Sequence, residues 1–192
     1  MQKPNGYDET QASGGFTPIN LGGHTAIVKR VQETTSKNGR PMLQVAIDFD
    51  KKDEQPEYFK EMFEADTRGK DKKWPYQGTQ YILTEDQDGK CSRSFKGFVS
   101  SVEESNDDSC QWGSGFENWF KNKKVGVVFG EVEEEYQGEI KTRRRIRYFC
   151  SYDKAKNAAI PAKKLFRGAI ASAPVDDGFM AIPEVAEEEI PF

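Results

Sequence analysis

Histidine and cysteine are scarce in this 192-residue chain, with one of the first and three of the second. His24 stands alone, and Cys91, Cys110 and Cys150 are far apart with no CxxC pair. One histidine is too few for HExxH, and nothing around it marks a zinc site or a Ser–His–Asp triad. An odd, scattered set of cysteines argues against a disulfide framework, so three reduced thiols in or near the core are expected. No apolar stretch approaches the ~20 residues of a transmembrane helix. The start, "MQKPNGYDETQASGG", has no apolar centre, so a secretory signal is not expected and a cytosolic protein is. No P-loop or GxGxxG follows a strand-like run. Carboxylates are many, yet none forms a constellation that points to acid–base work or a metal. The expectation is no catalysis, no metal and no cofactor.

What the chain has in quantity is charge and aromatic surface. Charged residues make up 31% and aromatics 12%, and disordered chains are poor in aromatics. The formal net charge is −4, which looks wrong for a nucleic-acid binder. The distribution alters that. Residues 174–192 hold six acids (Asp176, Asp177, Glu184, Glu187, Glu188, Glu189) and no Lys or Arg. Residues 1–173 keep 26 acids against 28 basic residues, a net of +2. A mildly basic body thus carries an acidic tail.

The apolar pattern predicts strands first. Residues 24–35 and 41–50 flank "SKNGRP", where Asn38-Gly39 signals a two-residue hairpin turn. In the second run Leu43, Val45, Ile47 and Phe49 form a buried face, and Gln44, Ala46 and Asp48 an open one. A short helix is expected near 57–65, a third strand over 79–86, and a turn at "DQDG". Phe95, Phe98, Val99 and Val102 recur at i, i+3, i+4 and i+7, which predicts an amphipathic helix over 94–105. "FENWFKNK" adds a turn of helix. A long hairpin then runs over 125–136 and 139–152, closed by Gln137-Gly138. With that loop, Tyr136 faces Glu139 and pairing continues outward. Val125, Val127, Phe129, Ile146, Tyr148 and Cys150 share the core face, with Glu131 and Arg144 paired at its rim. Gly126, Val128, Gly130 and Val132 oppose Phe149, Arg147, Arg145 and Arg143 on an exposed face, with Lys141 near the tip.

Strand, strand, strand, helix, strand, strand is the order of an OB-fold. The expected class is therefore mainly β: a five-stranded Greek-key barrel with a helix between strands three and four. Residues 1–20 form an N-terminal arm, 21–173 the OB domain, and 174–192 a flexible, disordered acidic tail that interacts with proteins.

The functional signals lie on this frame. Lys141, Arg143, Arg145 and Arg147 share one strand face, where side chains repeat about every 7 Å, close to the phosphate spacing of an extended strand. The plain alternative is a solvated edge strand guarded against aggregation. Trp74 and Tyr76 sit in the basic stretch "GKDKKWPYQG", and Phe149 lies on the predicted arginine face; each is a candidate for base stacking. Tyr81, Trp112 and Trp119 rank behind them, and any of these rings can instead be core. Lys37 and Arg40 flank the first hairpin turn, a loop with which OB-folds clamp ligands; ordinary turn solvation explains them as well. At the end of the chain, Phe192 offers a ring and a carboxylate together, a pair of handles for an apolar pocket and a cation. Pro191 stiffens the approach, which reduces the entropy lost on docking.

"EEEIPF", Glu187 to Phe192, resembles the C-termini of the bacterial single-stranded DNA-binding proteins, several acids followed by Ile-Pro-Phe. Glutamates stand here where that family usually has aspartates, which preserves charge. The body is similar instead to phage-encoded single-strand binders of Gram-positive hosts, over "DETQASGGFTPINLGGH", "SKNGRPML" and "FGEVEEEYQGE". These resemblances imply an OB-fold, no catalysis, and binding of single-stranded DNA without strong sequence preference. They also imply that Glu187, Glu188, Glu189, Ile190, Pro191 and Phe192 recruit polymerase, helicase, primase or recombinase partners. The expected setting is DNA replication and recombination in the cytoplasm of an infected bacterial host, with no membrane partner; a homo-oligomer is compatible with it. A recombination mediator or annealing protein, and an adaptor with an OB-like body, are the alternative readings. A nuclease is the weakest, because no constellation holds a metal.

Overall fold

Alternating apolar residues build the sheet, and the computed structural model describes residues 16–166 of it and its surroundings. Five strands pair antiparallel: β1 (Gly22–Thr35), β2 (Pro41–Phe49), β3 (Thr79–Leu83), β4 (Lys124–Tyr136) and β5 (Glu139–Cys150). Their order across the sheet is β3-β2-β1-β4-β5. The molecule is mainly β, with an open five-stranded antiparallel sheet compatible with an OB-like fold. The helices are α1 (Tyr58–Ala65), α2 (Arg93–Asn106), α3 (Phe116–Trp119) and α4 (Tyr152–Ala155). The expected tail, 174–192, and most of the expected arm lie outside the described residues.

α2 forms where the 3.6-residue period places it. Ser92 caps it, its hydroxyl accepting from the Phe95 amide at 3.1 Å. Phe95, Phe98, Val99 and Val102 turn inward and are buried. In β2 the predicted face of Leu43, Val45, Ile47 and Phe49 is buried. The opposite face is not open as expected, since Ala46 and Asp48 are buried too. Asp48 has a reason to be there. α1 begins without a local side-chain cap, and Asp48 Oδ1 accepts from the Phe59 and Lys60 amides at 3.0 and 3.3 Å. A strand residue thus satisfies donors that the start of a helix leaves orphaned.

The first hairpin turns differently from expectation. Gly39 has φ 77, whereas Asn38 is not left-handed, and Ser36 N donates to Arg40 O at 2.8 Å across a three-residue loop. This is the type I turn followed by a left-handed residue, rather than a two-residue primed turn. The second hairpin closes as expected, with φ 54 at Gln137, φ 79 at Gly138 and Tyr136 opposite Glu139. Its register holds inward through Glu131 opposite Arg144 to Phe129 opposite Ile146. There a bulge intervenes. Val128 faces Tyr148 and Val127 faces Phe149, so Arg147 is the extra residue. Beyond it the faces exchange: Phe149 packs on the core and Tyr148 is exposed, the reverse of the sequence reading.

The outer face of β1 and β4 is also covered, not exposed. α4 and the chain after it lie against it, and the segment rejoins the sheet where Lys164 bridges to Val132 in parallel. Glycines permit the approach. A Cβ on Gly23 would sit 1.8 Å from Ala155 O, and one on Gly126 2.5 Å from Ser151 O. The thiols are free, but Cys91 is exposed; Cys110 is buried, and burial pushes it up to about 11.

Candidate nucleic-acid interface

β5 carries its cations toward a cleft of about 610 Å³. Lys141, Thr142, Arg143, Arg144 and Arg145 form one wall, Tyr76 and Gln77 another, and Pro18, Ile19 and Tyr58 the rest. Tyr76 reaches it from a 3-10 turn, Tyr76–Gly78, that sits on the α1 ring Phe59. Gly78 is what allows this: a Cβ there would lie 2.7 Å from the Phe59 ring. Held in this way, the Tyr76 ring stacks on the Arg145 guanidinium at 3.5 Å and stays 38% exposed.

Arg145 is the best-held cation of the cleft. Its Nε and Nη2 donate to the two carboxylate oxygens of Glu134 at 2.5 and 2.6 Å, a fork-to-fork pair. Its Nη1 is buried without a hydrogen-bond partner. Burial lowers its pKa to about 10, which still leaves it charged near neutrality. Glu134 also has Arg143 Nε at 3.6 Å and accepts from the Tyr76 hydroxyl at 3.4 Å. Lys141 pairs with Glu139 at 3.1 Å. Lys141 and Arg143 both lie over the Tyr136 ring, at 5.5 and 5.6 Å. Arg144 points to the core side of β5, where its guanidinium donates to the Ile19 carbonyl and ties the incoming chain to the cleft.

The other predicted residues are dispersed. Arg147 keeps the face of Gly130, but the segment after α4 covers that face, and Arg147 donates to the carbonyls of Glu131 and Ala162 at 3.3 and 3.0 Å. It is therefore a clamp on the segment after α4, not a fourth cation of an open stripe. Phe149 meets Phe98 edge-on at 4.9 Å within the core. Trp74 is half-buried; its Nε1 donates to Ile47 O at 3.0 Å and its ring lies 5.6 Å from Phe63. Lys37 is exposed on the first hairpin turn, and Arg40 beside it donates to Glu85 O at 3.0 Å. Glu187 to Phe192 lie outside the described residues.

Sequence reasoning passed over Glu134, Tyr136 and Arg144. Glu134 and Tyr136 had a signal. Counting outward from Gln137-Gly138 places Glu134 opposite Lys141, on the same face as Arg143 and Arg145, as the register has it. Arg144 had none, because its partner is 125 residues away. Elsewhere Trp112 is 66% exposed and stacks on Phe116 at 5.3 Å, the most exposed aromatic among the described residues.

Among the described residues no cluster of three or more His, Cys, Asp or Glu is placed to hold a metal ion, and no helix is long and apolar enough to cross a membrane. No protein-family model and no curated protein matches the chain.

Proposed function

We propose that this chain is a sequence-non-specific single-stranded DNA-binding protein of phage DNA replication and recombination, acting in the cytoplasm of an infected bacterial host. The observation that carries the reading is the β5 cleft. It gathers Lys141, Arg143, Arg144 and Arg145 beside the partly exposed Tyr76 ring. Cations that track a backbone beside a ring that takes a base are what a single-strand site requires. The strand order, with α2 between β3 and β4, supports a five-stranded Greek-key OB barrel as the scaffold. On this reading Lys37 and Arg40 meet the strand at the first hairpin. Ile190, Pro191 and Phe192, with the glutamates before them, recruit polymerase, helicase, primase or recombinase partners.

The test is a titration with oligo-dT, read by tryptophan or tyrosine fluorescence. Binding that weakens steeply with salt, together with loss of affinity in an Arg143→Ala/Arg145→Ala variant, supports the proposal. Equal affinity for duplex DNA overturns it. A strand-annealing assay separates a binder from an annealing protein. One observation favours the adaptor reading: Lys141, Arg143 and Arg145 each already face a carboxylate. An adaptor would show no oligo-dT binding at low salt.

A further inference from the structure

Three donors of the cleft converge on one acceptor. Arg145 gives Glu134 two hydrogen bonds, Tyr76 gives it a third, and Arg143 stands at 3.6 Å. Two guanidiniums and a hydroxyl around one anion form a seat of the kind that holds a phosphate. The carboxylate does not satisfy it fully. It is planar with two oxygens, and Arg143 Nε stands beyond hydrogen-bond distance of it at 3.6 Å. A tetrahedral phosphodiester presents oxygens in more directions and can meet Arg143 as well as Arg145 and Tyr76. Glu134 lies near the open end of the hairpin. Its side chain is 29% exposed, and it lies three residues from the hairpin turn, on a part of β4 whose neighbours toward the tip are exposed.

We propose that Glu134 is a built-in phosphate mimic: it fills an anion seat formed by Arg143, Arg145 and Tyr76, and a backbone phosphate of the bound strand displaces it. This rests on the single-strand reading above and adds to it. The seat exchanges one anion for another, so a phosphate enters only by outcompeting the tethered carboxylate. Binding of small anions is thereby weakened, and Arg145 stays ordered for the strand while the site is empty. The exchange also means that the seat adds little to the salt dependence of the wild-type protein, since charge there is conserved.

The experiment compares wild type, Glu134→Gln and Glu104→Gln in oligo-dT titrations over a salt series. Glu104 is the control, because it pairs with Lys154 at 2.9 Å and neither residue lines the cleft. Glu134→Gln is expected to bind about tenfold tighter at low salt, with a log–log salt slope steeper by about 0.7 to 1.4, as one or two freed cations engage phosphate. Glu104→Gln is expected to change either quantity little. Unchanged or weaker binding by Glu134→Gln would mean that the carboxylate only positions Arg145, and equal tightening by both variants would mean a general charge effect; either overturns the seat. A second arm is independent of DNA. In the wild type, pyrophosphate is added while the Arg145 Nε–H resonance is followed. A saturable shift, reached at lower concentration in Glu134→Gln, supports the seat even if no variant binds oligo-dT, a result that would sink the single-strand reading alone. No shift in either protein rules the seat out.

Discussion

His24 is buried with both ring nitrogens facing oxygen, Nδ1 at 2.8 Å from Asp53 Oδ1 and Nε2 at 2.9 Å from Asn20 O. A carbonyl and a carboxylate both accept, so the ring must donate twice, which only the imidazolium does. Burial by itself lowers the His24 pKa, but the bonds to Asp53 and to the Asn20 carbonyl outweigh it and the net direction is up from 6.5. Asp53 moves down from 3.8: burial raises it, and the bonds from His24 and the Gln55 amide outweigh that. The signs set the window. The His24 contribution is complete below pH 6.5 and is lost as pH rises through its raised value. The Asp53 contribution is complete above pH 3.8 and is lost as pH falls through its lowered value. Stability from the pair therefore peaks between those two pH values. His24→Ala should cost about 3 kcal/mol at pH 6 and clearly less at pH 9. Urea unfolding at the two pH values measures this, and an equal cost at both would refute the imidazolium. Trp74 is the second case at this scale. Trp74→Phe removes its bond to Ile47 O and should cost about 1 kcal/mol of stability, with oligo-dT affinity unchanged. A large affinity loss in a stably folded variant would return Trp74 to the contact surface.

At the scale of elements, two devices hold the frame of the cleft. Asp48 joins β2 to the start of α1, and α1 supplies Phe59, on which the Tyr76 turn rests. Asp48→Ala leaves two helix-start amides without their acceptor, so a loss of about 2 kcal/mol is expected in thermal or urea unfolding. The second device is the glycine contact between the sheet and α4. On Gly126 a Cβ would meet Ser151 O at 2.5 Å and Ala155 Cβ at 2.8 Å, with backbone on one side and little room to yield. Gly126→Ala should therefore cost about 2 kcal/mol and speed amide exchange at Ala155 and Ala158. Unchanged exchange there would show that α4 can shift freely on the sheet. The bulge at Arg147 belongs to this scale as well. One extra residue exchanges Phe149 and Tyr148 between faces, while the segment after α4, by covering the Gly130 face, makes Arg147 a clamp.

For the whole molecule, charge is divided along the chain. The basic strand serves the cleft, and the acids of 174–192 give the protein its net −4. If the body holds DNA and the tip holds proteins, the two functions separate by truncation. Removal of Glu187 to Phe192 should leave oligo-dT affinity within about twofold while abolishing pull-down of partner enzymes, since the terminal ring and carboxylate act locally. Retained pull-down would refute the docking role of the tip. The described chain ends beside β4, where Lys164 N donates to Glu131 O at 2.9 Å.

The sequence alone determined the parts that depend on local period and local turn chemistry. The buried stripe of α2, the inward face of β2 and the Gln137-Gly138 hairpin with its register as far as Ile146 are of this kind, because each follows from residues a few positions apart. The alignment of Lys141, Arg143 and Arg145 on one face follows from the same two-residue alternation. Only the tertiary structure decided the rest. A bulge is a single uncounted residue, and no local signal marked it before Phe149. The covering of the β1–β4 face depends on where a segment some 30 residues downstream returns. The Asp48 cap and the Arg144 tie join residues far apart in the chain, and the stacking of Tyr76 on Arg145 depends on Gly78 meeting Phe59. Pairing chemistry was legible in the residues, but which partners meet is set by the path of the backbone through the folded sheet.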